Sequence, residues 1–260
     1  MIHKNSIIHQ DAKVSTKAVI GPYVVIGPNV KIGDNTIIHS HVSISGDTSI
    51  GDDCKIFPFA SIGNDPQDLK YKGEKTKLVI GNNNIIREYV TINPGTEGGG
   101  GSTVIGNNCL FMISSHIAHD CKIGNNVVIA NNVPIGGHGV VEDDVIIGGN
   151  AAVHQFTRIG KMAMIGGMTG VTTDVIPYGL SLGNRNYLEG INLIGLRRKN
   201  IPNKDILELI SAYKEIFKTI KFRENLSKLN GEFKNNRLVN DVIEFINKDK
   251  KRPICTPFIK

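Results

Sequence analysis

An aliphatic residue returns at every sixth position over most of this chain, and this period restricts the possible folds more than any other feature. The aliphatic positions run without a slip from Ile8 to Ile62, resume from Ile80 to Ile92, and continue from Ile105 to Val171. A period of six is neither helical nor that of a simple strand. Repeated hexapeptides are typical of a parallel β-helix, in which three flat sides and three corners form a triangular coil of roughly 18 residues.

The residues between the aliphatic positions support this fold. Four residues after most of them stands a small side chain such as Thr36 or Cys54, which suits a second inward position in a narrow prism. Pairs of glycine with Asp or Asn, such as Gly33-Asp34, tolerate the backbone angles of a sharp corner. An ordinary sandwich or barrel would need hairpin turns at irregular spacing. The sequence therefore predicts a mainly β fold, a parallel β-helix of hexapeptide repeats with a C-terminal α-helical domain.

Breaks in the repeat predict the organisation of the chain. We expect a β-helix over residues 1–180, with loops at 63–79 and 93–104, and a connecting segment with a basic helical domain over 181–260. The first loop takes 18 residues between Ile62 and Ile80, as many as one whole coil, and is long enough to be functional. The second contains four consecutive glycines at 98–101, which predict a flexible loop; no Lys-Ser/Thr pair follows them, so they do not match a phosphate-binding loop.

Composition and charge narrow the setting. No run of about 18 apolar residues occurs, and the first ten residues lack the basic and apolar parts of a secretory signal, so we expect a cytoplasmic protein without stable membrane insertion. Cys54, Cys109 and Cys121 fall at small inward positions, and no Cys-x-x-Cys occurs, so we expect buried free thiols.

The net charge of +6 comes from the C-terminal region. Residues 197–260 carry 16 Lys and Arg against 8 Asp and Glu, a balance of +8, which leaves about −2 for the rest. Such a basic region can attract an acidic partner, such as nucleic acid, an anionic membrane surface or an acidic carrier protein. The alternative is a solvated helical face without a partner.

Four histidines fall close together when residues 105–171 are wound onto an 18-residue coil. His116 and His119 keep their places, and His138 and His154 fall within the same five coil positions on the next two coils. Gly137 then lies directly beside His119, and Gln155 lies one coil further, with neighbouring strands about 4.8 Å apart. An imidazole next to the Asp120 carboxylate suits general-base catalysis, and a backbone N–H can stabilise an oxyanion. The sequence therefore predicts a catalytic column on one edge of the prism.

Several motifs resemble those of the acyl-ACP–UDP-N-acetylglucosamine O-acyltransferase family, hexapeptide-repeat transferases that begin lipid A synthesis. The likeness covers nearly the whole chain and rests on His116-Ile-Ala-His119-Asp120, Gln67-Asp68-Leu69-Lys70-Tyr71, Ile135-Gly-Gly-His138, Ala152-Val-His154-Gln155-Phe156, Gly183-Asn184 and Asn192-Leu-Ile-Gly-Leu-Arg197-Arg198. The resemblance implies a left-handed β-helix and a homotrimer, with no cofactor and no metal. The partners that it implies are UDP-N-acetylglucosamine and a 3-hydroxyacyl-loaded acyl carrier protein, which would bind to the basic C-terminal region. The resemblance implies no nucleic-acid partner.

The resemblance also assigns roles to residues. His119 would take the proton from the glucosamine 3-hydroxyl, Asp120 would orient it, and the Gly137 N–H would hold the oxyanion. Binding of the sugar, the uridine diphosphate or the acyl group is implied for Asp68, Lys70, His116, His138, His154, Gln155, Asn192 and Arg198. Gly167 matches a position that gates acyl length, where a glycine leaves room for a longer chain, although the adjacent Met168 could occlude it.

Two departures from the family pattern leave the acceptor atom open. Asn93 stands where the family often has His, and Ile194 stands where it has an acidic residue. Some relatives acylate a 3-amino rather than a 3-hydroxy sugar, so an amide product is the first alternative.

Other readings use the same fold. The N-acyltransferase of the same pathway should carry a separate N-terminal domain, whereas repeats begin here at Ile8. A metal-dependent carbonic anhydrase on a β-helix would need three histidines around zinc. A non-catalytic scaffold would leave the histidines dispensable.

Overall fold

The structure is a computed structural model that describes residues 1–229, 233, 235–249 and 252–258. The chain winds into a triangular prism whose sides are three sheets. Up to the last two strands of the chain, each strand pairs with the strand three places along. We call these the first sheet (nine strands), the second sheet (eight strands) and the third sheet (ten strands). All pairings are parallel except that of the last two strands. The predicted parallel β-helix with a C-terminal helical region is confirmed.

Most strands are two residues long, with one residue outward and the next inward. In chain order they are β1 Ile7–Ile8, β2 Lys13–Val14, β3 Val19–Ile20, β4 Val25–Ile26, β5 Lys31–Ile32, β6 Ile37–Ile38, β7 Ser43–Ile44, β8 Asp47–Ile50, β9 Lys55–Ile56, β10 Ser61–Ile62, β11 Lys77–Ile80, β12 Ile85–Ile86, β13 Thr91–Ile92 and β14 Ser102–Ile105. They continue as β15 Leu110–Phe111, β16 His116–Ile117, β17 Lys122–Ile123, β18 Val128–Ile129, β19 Pro134–Ile135, β20 Val140–Val141, β21 Ile146–Ile147, β22 Ala152–Val153, β23 Arg158–Ile159, β24 Met164–Ile165, β25 Gly170–Val171, β26 Gly179–Leu182 and β27 Tyr187–Ile191. The inward aliphatics form one continuous core.

The inward cysteines pack as small apolar groups, as predicted. All four cysteines are free and buried. The thiols of Cys109 and Cys121 donate weak hydrogen bonds to glycine carbonyls of the next coil, at 3.2 and 3.3 Å. Burial raises the pKa of the Cys109 thiol to about 11 and that of Cys121 to about 12. These thiols therefore stay protonated and unreactive at neutral pH.

Corners join the sheets, and we number them by the sheets they connect: the first corner joins the first and second sheets, the second corner the second and third, and the third corner the third and first. At the second corner the left-handed backbone falls on Asn or Asp, such as Asn108 (φ 58°) and Asn126 (φ 56°). The preceding glycine has a different role, since a Cβ on Gly106 would lie 2.6 Å from the Gly124 carbonyl oxygen. The sequence predicts that the Gly-Asp/Asn pair adopts the backbone angles of the sharp corner. In the structure, the residue after the pair has the positive φ.

The Asp or Asn of each pair links successive coils at the second corner. The Asn107 N–H donates to Asn125 Oδ1 at 2.9 Å, and the Asn125 N–H donates to Asp143 Oδ1 at 2.7 Å. Backbone donors at a corner are outside the sheet ladders and need such acceptors. These pairs therefore fix the stacking of one coil on the next.

Both loops leave the prism at the first corner. Ile80 pairs with Ile50, thirty residues earlier, where an uninterrupted coil takes eighteen. The first loop therefore adds fewer residues than a whole coil, because it replaces one corner. The Asn93 side chain, buried beside it, donates to the carbonyls of Asn64 and Asp65 at 3.1 and 3.3 Å and holds the root of this loop.

The C-terminal region covers the end of the prism. Strands β26 and β27 form an antiparallel hairpin on the third sheet, where the sequence indicated only a connection. Helices α1 Leu193–Arg198, α2 Asn203–Ile216, α3 Phe222–Ser227 and α4 Arg237–Lys248 follow. Helix α2 ends at Ile216, and Ile220, four residues later, is exposed. None of the described helices has the length and apolar character needed to span a membrane. Four basic residues of the tail, Lys234, Lys250, Lys251 and Lys260, lie outside the described residues.

A buried carboxylate joins the helical region to the prism. Asp174 is fully buried and accepts hydrogen bonds from the Arg158 backbone N–H (2.9 Å) and Arg158 Nε (2.7 Å). Arg252 Nε donates to Oδ1, the oxygen that also accepts from the Arg158 N–H, at 3.1 Å. The Arg158 guanidinium also stacks over the Phe245 ring of α4, 4.4 Å from its centre. One carboxylate thus connects the last coil, α4 and the C-terminal segment.

Replacement of Asp174 should destabilise the protein strongly. Asp174→Ala leaves two arginines facing a buried site without their counter-charge, and breaking a buried ion pair costs about 3–5 kcal/mol. The expected result is a loss of that size in the free energy of unfolding in urea. Lys17→Ala is the matched control: it removes an exposed ion pair to Asp34, which should change the urea midpoint little. Equal midpoints for the two variants would contradict the connecting role of Asp174.

Candidate active site

The register of the first sheet places three of the predicted residues in line. Ile117 pairs with Ile135, and Ile135 pairs with Val153. Two residues after each of these, at the first corner, lie His119, Gly137 and Gln155. The backbone confirms the stacking, since the His138 N–H donates to the His119 carbonyl at 3.0 Å and the Phe156 N–H donates to the Gly137 carbonyl at 2.9 Å. The predicted column therefore exists on one edge of the prism.

His119 and Asp120 form a hydrogen-bonded pair. The distance between His119 Nδ1 and Asp120 Oδ2 is 2.8 Å, and the carboxylate side chain is completely buried. An ionised carboxylate only accepts, so Nδ1 carries the proton and Nε2 presents a lone pair. Asp120 takes the left-handed conformation (φ 59°), which turns its side chain back toward the preceding imidazole. With Nδ1 bonded to the carboxylate, Nε2 is the ring nitrogen that can accept a proton.

The acceptor nitrogen of His119 lies directly over Gly137. A Cβ built on Gly137 would be 2.7 Å from both Nε2 and Cε1 of the imidazole. Any side chain there would displace the ring, so only glycine allows this approach. Within the described part of the chain, the Gly137 N–H makes no hydrogen bond. A backbone donor without an acceptor thus stands beside a basic nitrogen.

Two further histidines flank the pair. The His138 ring meets the His119 ring edge-on at 5.1 Å and stacks on Phe156 at 4.2 Å. His116 is half-buried, and its Nδ1 lies 2.7 Å from Thr91 Oγ1. Burial lowers the pKa of His138, and burial together with the nearby His119 lowers the pKa of His116. Both rings are therefore neutral at pH 7 and can act as hydrogen-bond partners for a polar ligand.

The two loops form a cleft beside the column. Its volume is about 650 Å³, and its lining includes Asp68 and Lys70 from the first loop, Thr96 from the second, and His138 and Phe156 from the corner. The Lys70 N–H donates to Asp68 Oδ1 at 3.0 Å, which shapes this turn of the loop. Carboxylate, ammonium and imidazole groups thus converge on one space that is large enough for a sugar.

The remaining predicted residues are distributed over the three edges of the prism. His154 and Gln155 are exposed at the first corner, next to the column. Asn192 caps α1 and donates to the carbonyl of Met162 at the second corner, at 2.9 Å. Lys199, just after Arg198, pairs with Asp144 at the same corner at 2.6 Å. Gly167 lies at the third corner. A single chain therefore does not bring Asn192, Arg198 or Gly167 to the column.

Sequence analysis missed two contributors to the site. Thr96 donates to both oxygens of Asp120, and Gly99 covers that carboxylate. Both residues lie in the second loop, outside the hexapeptide repeat, so the 18-residue coil does not predict where they lie. The only signal was their place in a break one coil before the catalytic pair.

A metal ion is a poorer explanation of this cluster than a hydrogen-bonded pair. Among the described residues, His119, Asp120 and His138 form one group whose ligand atoms lie within 4.8 Å of one another. The carbonic anhydrase alternative needs three histidines, and this group has two. Asp120 Oδ2 already accepts from His119 Nδ1 and from Thr96 Oγ1. Use of Asp120 as a metal ligand would compete with these hydrogen bonds.

Family profiles and known proteins match this chain in both the repeat and the C-terminal region. A family profile described as UDP-N-acetylglucosamine O-acyltransferase, domain 2, matches residues 174–255, and a profile of six bacterial transferase hexapeptides matches residues 102–137. The acyl-[acyl-carrier-protein]–UDP-N-acetylglucosamine O-acyltransferase of Paracoccus denitrificans is 48% identical over 202 residues, which are 78% of this chain and 77% of the relative. The protein of that name from Methylobacterium radiotolerans is 50% identical over 204 residues, 78% of this chain and 75% of the relative.

A solved structure extends the likeness to the whole chain. The UDP-N-acetylglucosamine O-acyltransferase (LpxA) of Moraxella catarrhalis superposes with a TM-score of 0.94 at 42% identity, covering 97% of this chain and 98% of that one. The prism, the hairpin and the helical region are thus shared together. This chain belongs to the acyl-[acyl-carrier-protein]–UDP-N-acetylglucosamine O-acyltransferase family.

Proposed function

We propose that this protein transfers a 3-hydroxyacyl chain from acyl carrier protein to the glucosamine 3-hydroxyl of UDP-N-acetylglucosamine, the first step of lipid A biosynthesis. The observation that carries the proposal is the His119 imidazole, whose Nδ1 is hydrogen-bonded to a buried carboxylate and whose Nε2 lies over the Gly137 backbone. A base and an oxyanion donor at this distance suit acyl transfer.

The geometry supports a two-step mechanism. His119 Nε2 takes the proton of the sugar 3-hydroxyl, and the hydroxyl oxygen attacks the thioester carbonyl. The Gly137 N–H donates to the oxyanion of the tetrahedral intermediate. Collapse of the intermediate breaks the carbon–sulfur bond and gives the ester, and the imidazolium returns its proton to the carrier thiolate. Asp120 holds the imidazole in the required tautomer and stabilises its charged form.

Substrate recognition follows from the lining of the cleft. Asp68 and Lys70 lie on the first loop, beside the column, where they suit hydroxyl and phosphate groups of the nucleotide sugar. His116, His138, His154 and Gln155 lie at or beside the first corner and add imidazole and amide groups for hydrogen bonding. Gly167 and the exposed Met168 at the third corner are assigned to the end of the acyl chain. No cofactor or metal is part of this proposal.

Loss of the His119 imidazole should abolish transfer without unfolding the protein. A general base contributes about 10²–10⁴-fold to a rate, and His119→Ala removes the acceptor of the proton while leaving the coil intact. The measurement is kcat with UDP-N-acetylglucosamine and a panel of 3-hydroxyacyl carriers, with the product identified by mass. His3→Ala, which alters an exposed histidine of the first coil, should turn over like the parent.

Two outcomes of that assay would contradict the assignment. Turnover of His119→Ala near the parental rate would exclude this residue as the base. An amide product from a 3-amino UDP-sugar, with no ester from the 3-hydroxy sugar, would favour the alternative acceptor instead.

We further propose a cytoplasmic homotrimer whose active sites are shared between subunits. The support is the separation of the predicted groups: the column occupies the first corner, while α1 with Asn192 and Arg198 lies along the second corner. The Arg198 guanidinium suits a pyrophosphate, because its planar donors match two phosphate oxygens. A neighbouring subunit that placed its second corner against the column would complete the site.

Subunit sharing predicts complementation between two inactive variants. His119→Ala and Arg198→Ala should each lose activity in pure form, the second mainly through a raised KM for the UDP-sugar. When the two are refolded or co-expressed together, mixed trimers contain sites with both native residues, and activity should return to about a quarter of the parental value when the mixture is random. Activity no greater than the sum of the pure variants would show that one chain supplies both residues.

The acyl carrier protein is assigned to the basic helical region. Lys214, Lys218 and Lys228 line a groove of about 710 Å³ formed by α2 and α3, together with Glu208 and Glu215. Lys218 pairs with Glu215 at 2.8 Å, which leaves Lys214 and Lys228 to attract the carrier. The exposed Leu207 at its edge adds apolar surface for the acidic carrier. Attraction between opposite charges speeds encounter and weakens with salt.

Charge reversal in this groove should weaken carrier binding selectively. Lys214→Glu with Lys228→Glu should raise the KM for acyl carrier protein and leave the KM for UDP-N-acetylglucosamine unchanged. The difference from the parent should shrink as salt is added, because the lost attraction is screened. Lys55→Glu, an exposed change on the prism, is the control. An effect independent of salt would contradict docking by charge.

A further inference from the structure

The four-glycine loop is an ordered turn rather than a flexible linker. A short 3-10 helix, Glu97–Gly99, lies at its centre. The Thr96 carbonyl accepts from the N–H groups of Gly99 (3.1 Å) and Gly101 (2.9 Å), and the Gly101 carbonyl accepts from the N–H of Lys77 in β11 (2.9 Å). These hydrogen bonds give the loop a defined turn and fix Thr96 in one place.

Thr96 holds both oxygens of the Asp120 carboxylate. Its backbone N–H donates to Oδ1 at 2.9 Å, and its hydroxyl donates to Oδ2 at 2.7 Å. Oδ2 also accepts from His119 Nδ1 at 2.8 Å. Thr96 and Asp120 are each about 5% exposed, so these bonds are protected from water. Together the three donors fix the rotation of the carboxylate.

Gly99 closes the other side of the carboxylate. A Cβ built on Gly99 would lie 2.0 Å from Asp120 Cγ and Oδ2. The neighbouring Gly98 has no atom within 4 Å of its hypothetical Cβ. Neither glycine has a positive φ, so the backbone conformation itself would accept alanine at both. Gly99 is thus required by its contact with the carboxylate, whereas Gly98 has no such contact.

We propose that Thr96 is a positioning residue for acyl transfer, which clamps Asp120 so that its carboxylate fixes the His119 imidazole over Gly137, with Gly99 as the cover of that clamp. The inference rests on the proposed function, in which His119 is the general base. It adds a residue from outside the repeat and a role for the glycine loop. The clamp acts on the base through Asp120 and does not touch the reacting atoms.

The clamp should also set the pH range of activity. A carboxylate that loses a donor binds a proton more readily, either on its own oxygen or on the imidazole bonded to it. The other titratable groups around this pair and the adjacent cleft are His116 and His138 from the first sheet and corner, Asp68, Lys70, Lys72 and Glu74 from the first loop, and Glu97 from the second. They are unchanged when only the Thr96 hydroxyl is removed, so a shift of the pH profile reports the clamp.

The decisive substitution is Thr96→Val, compared with Thr96→Ser. Valine keeps the shape and the backbone N–H but removes the hydroxyl donor, so kcat should fall about 10–100-fold, the range expected for a hydrogen bond to a charged group. The KM for UDP-N-acetylglucosamine should change little, and the acid limb of the kcat/KM profile should move to higher pH. Serine restores the donor and should recover most of kcat and the parental profile. Thermal unfolding of both variants checks that the fold is intact.

A matched glycine pair tests the cover independently. Gly99→Ala should press on the carboxylate and lower kcat with the same upward shift of the acid limb, and Gly98→Ala should keep the parental pH profile. If Thr96→Val and Gly99→Ala both keep the parental kcat and profile, the positioning role is overturned. If Thr96→Val and Thr96→Ser lose thermal stability to the same extent, Thr96 has a purely structural role. That result also overturns the positioning role.

Measuring His119→Ala in parallel separates the two proposals. If His119→Ala is inactive while Thr96→Val behaves like the parent, only the clamp fails. If His119→Ala keeps turnover, the general-base assignment fails, whatever Thr96→Val does.

Discussion

The register between successive coils is the constraint on which the site depends. Main-chain hydrogen bonds join each coil to the next, and the inward aliphatics stack in one continuous core. Because side chains alternate between inward and outward, a slip of one residue would turn every inward side chain outward. The same register puts His119, Gly137 and Gln155 on one edge. Fold and catalytic geometry are thus consequences of a single periodic pattern.

This dependence explains what the sequence could predict. Where hexads are uninterrupted, arithmetic on an 18-residue coil gives the spatial neighbour of each residue, and the column from His119 to Gln155 follows directly. The same arithmetic gives Cys109 and Cys121 their inward places. The helix α2 was recognisable from its own period, because Ile206 and Leu209 recur on one buried face.

The rest of the molecule depends on contacts that no period encodes. Thr96 and Gly99 reach Asp120 through a loop whose path is set by hydrogen bonds to β11 and to itself. The β26–β27 hairpin, read from sequence as a connection, forms because the last coil leaves an unpaired edge of the third sheet that a further strand can cover. Asp174 is held by Arg158, 16 residues earlier in the chain, and by Arg252, which lies 78 residues further along. Each of these required a three-dimensional partner.

At the site, three residues with large or charged side chains adopt the unfavourable left-handed backbone conformation. Asp120, His138 and Phe156 occupy equivalent positions of three successive coils at the first corner, all with φ between 59° and 64°. A bulky residue in this conformation costs about 1–3 kcal/mol, and it persists only where surrounding structure determines it. The flanking coils supply that structure through the ladder on both sides of the corner.

This unfavourable conformation has a function. The left-handed backbone points the side chain in a direction that the inward–outward alternation of a strand does not allow. Asp120 is turned back onto its own neighbour, His119, and His138 and Phe156 stack on each other beside it. In an extended strand, adjacent side chains point to opposite faces and could not form such a pair. The corner is therefore the one part of a hexad where consecutive side chains can act together in catalysis. Both loops leave the prism at this corner and so lie next to the catalytic pair.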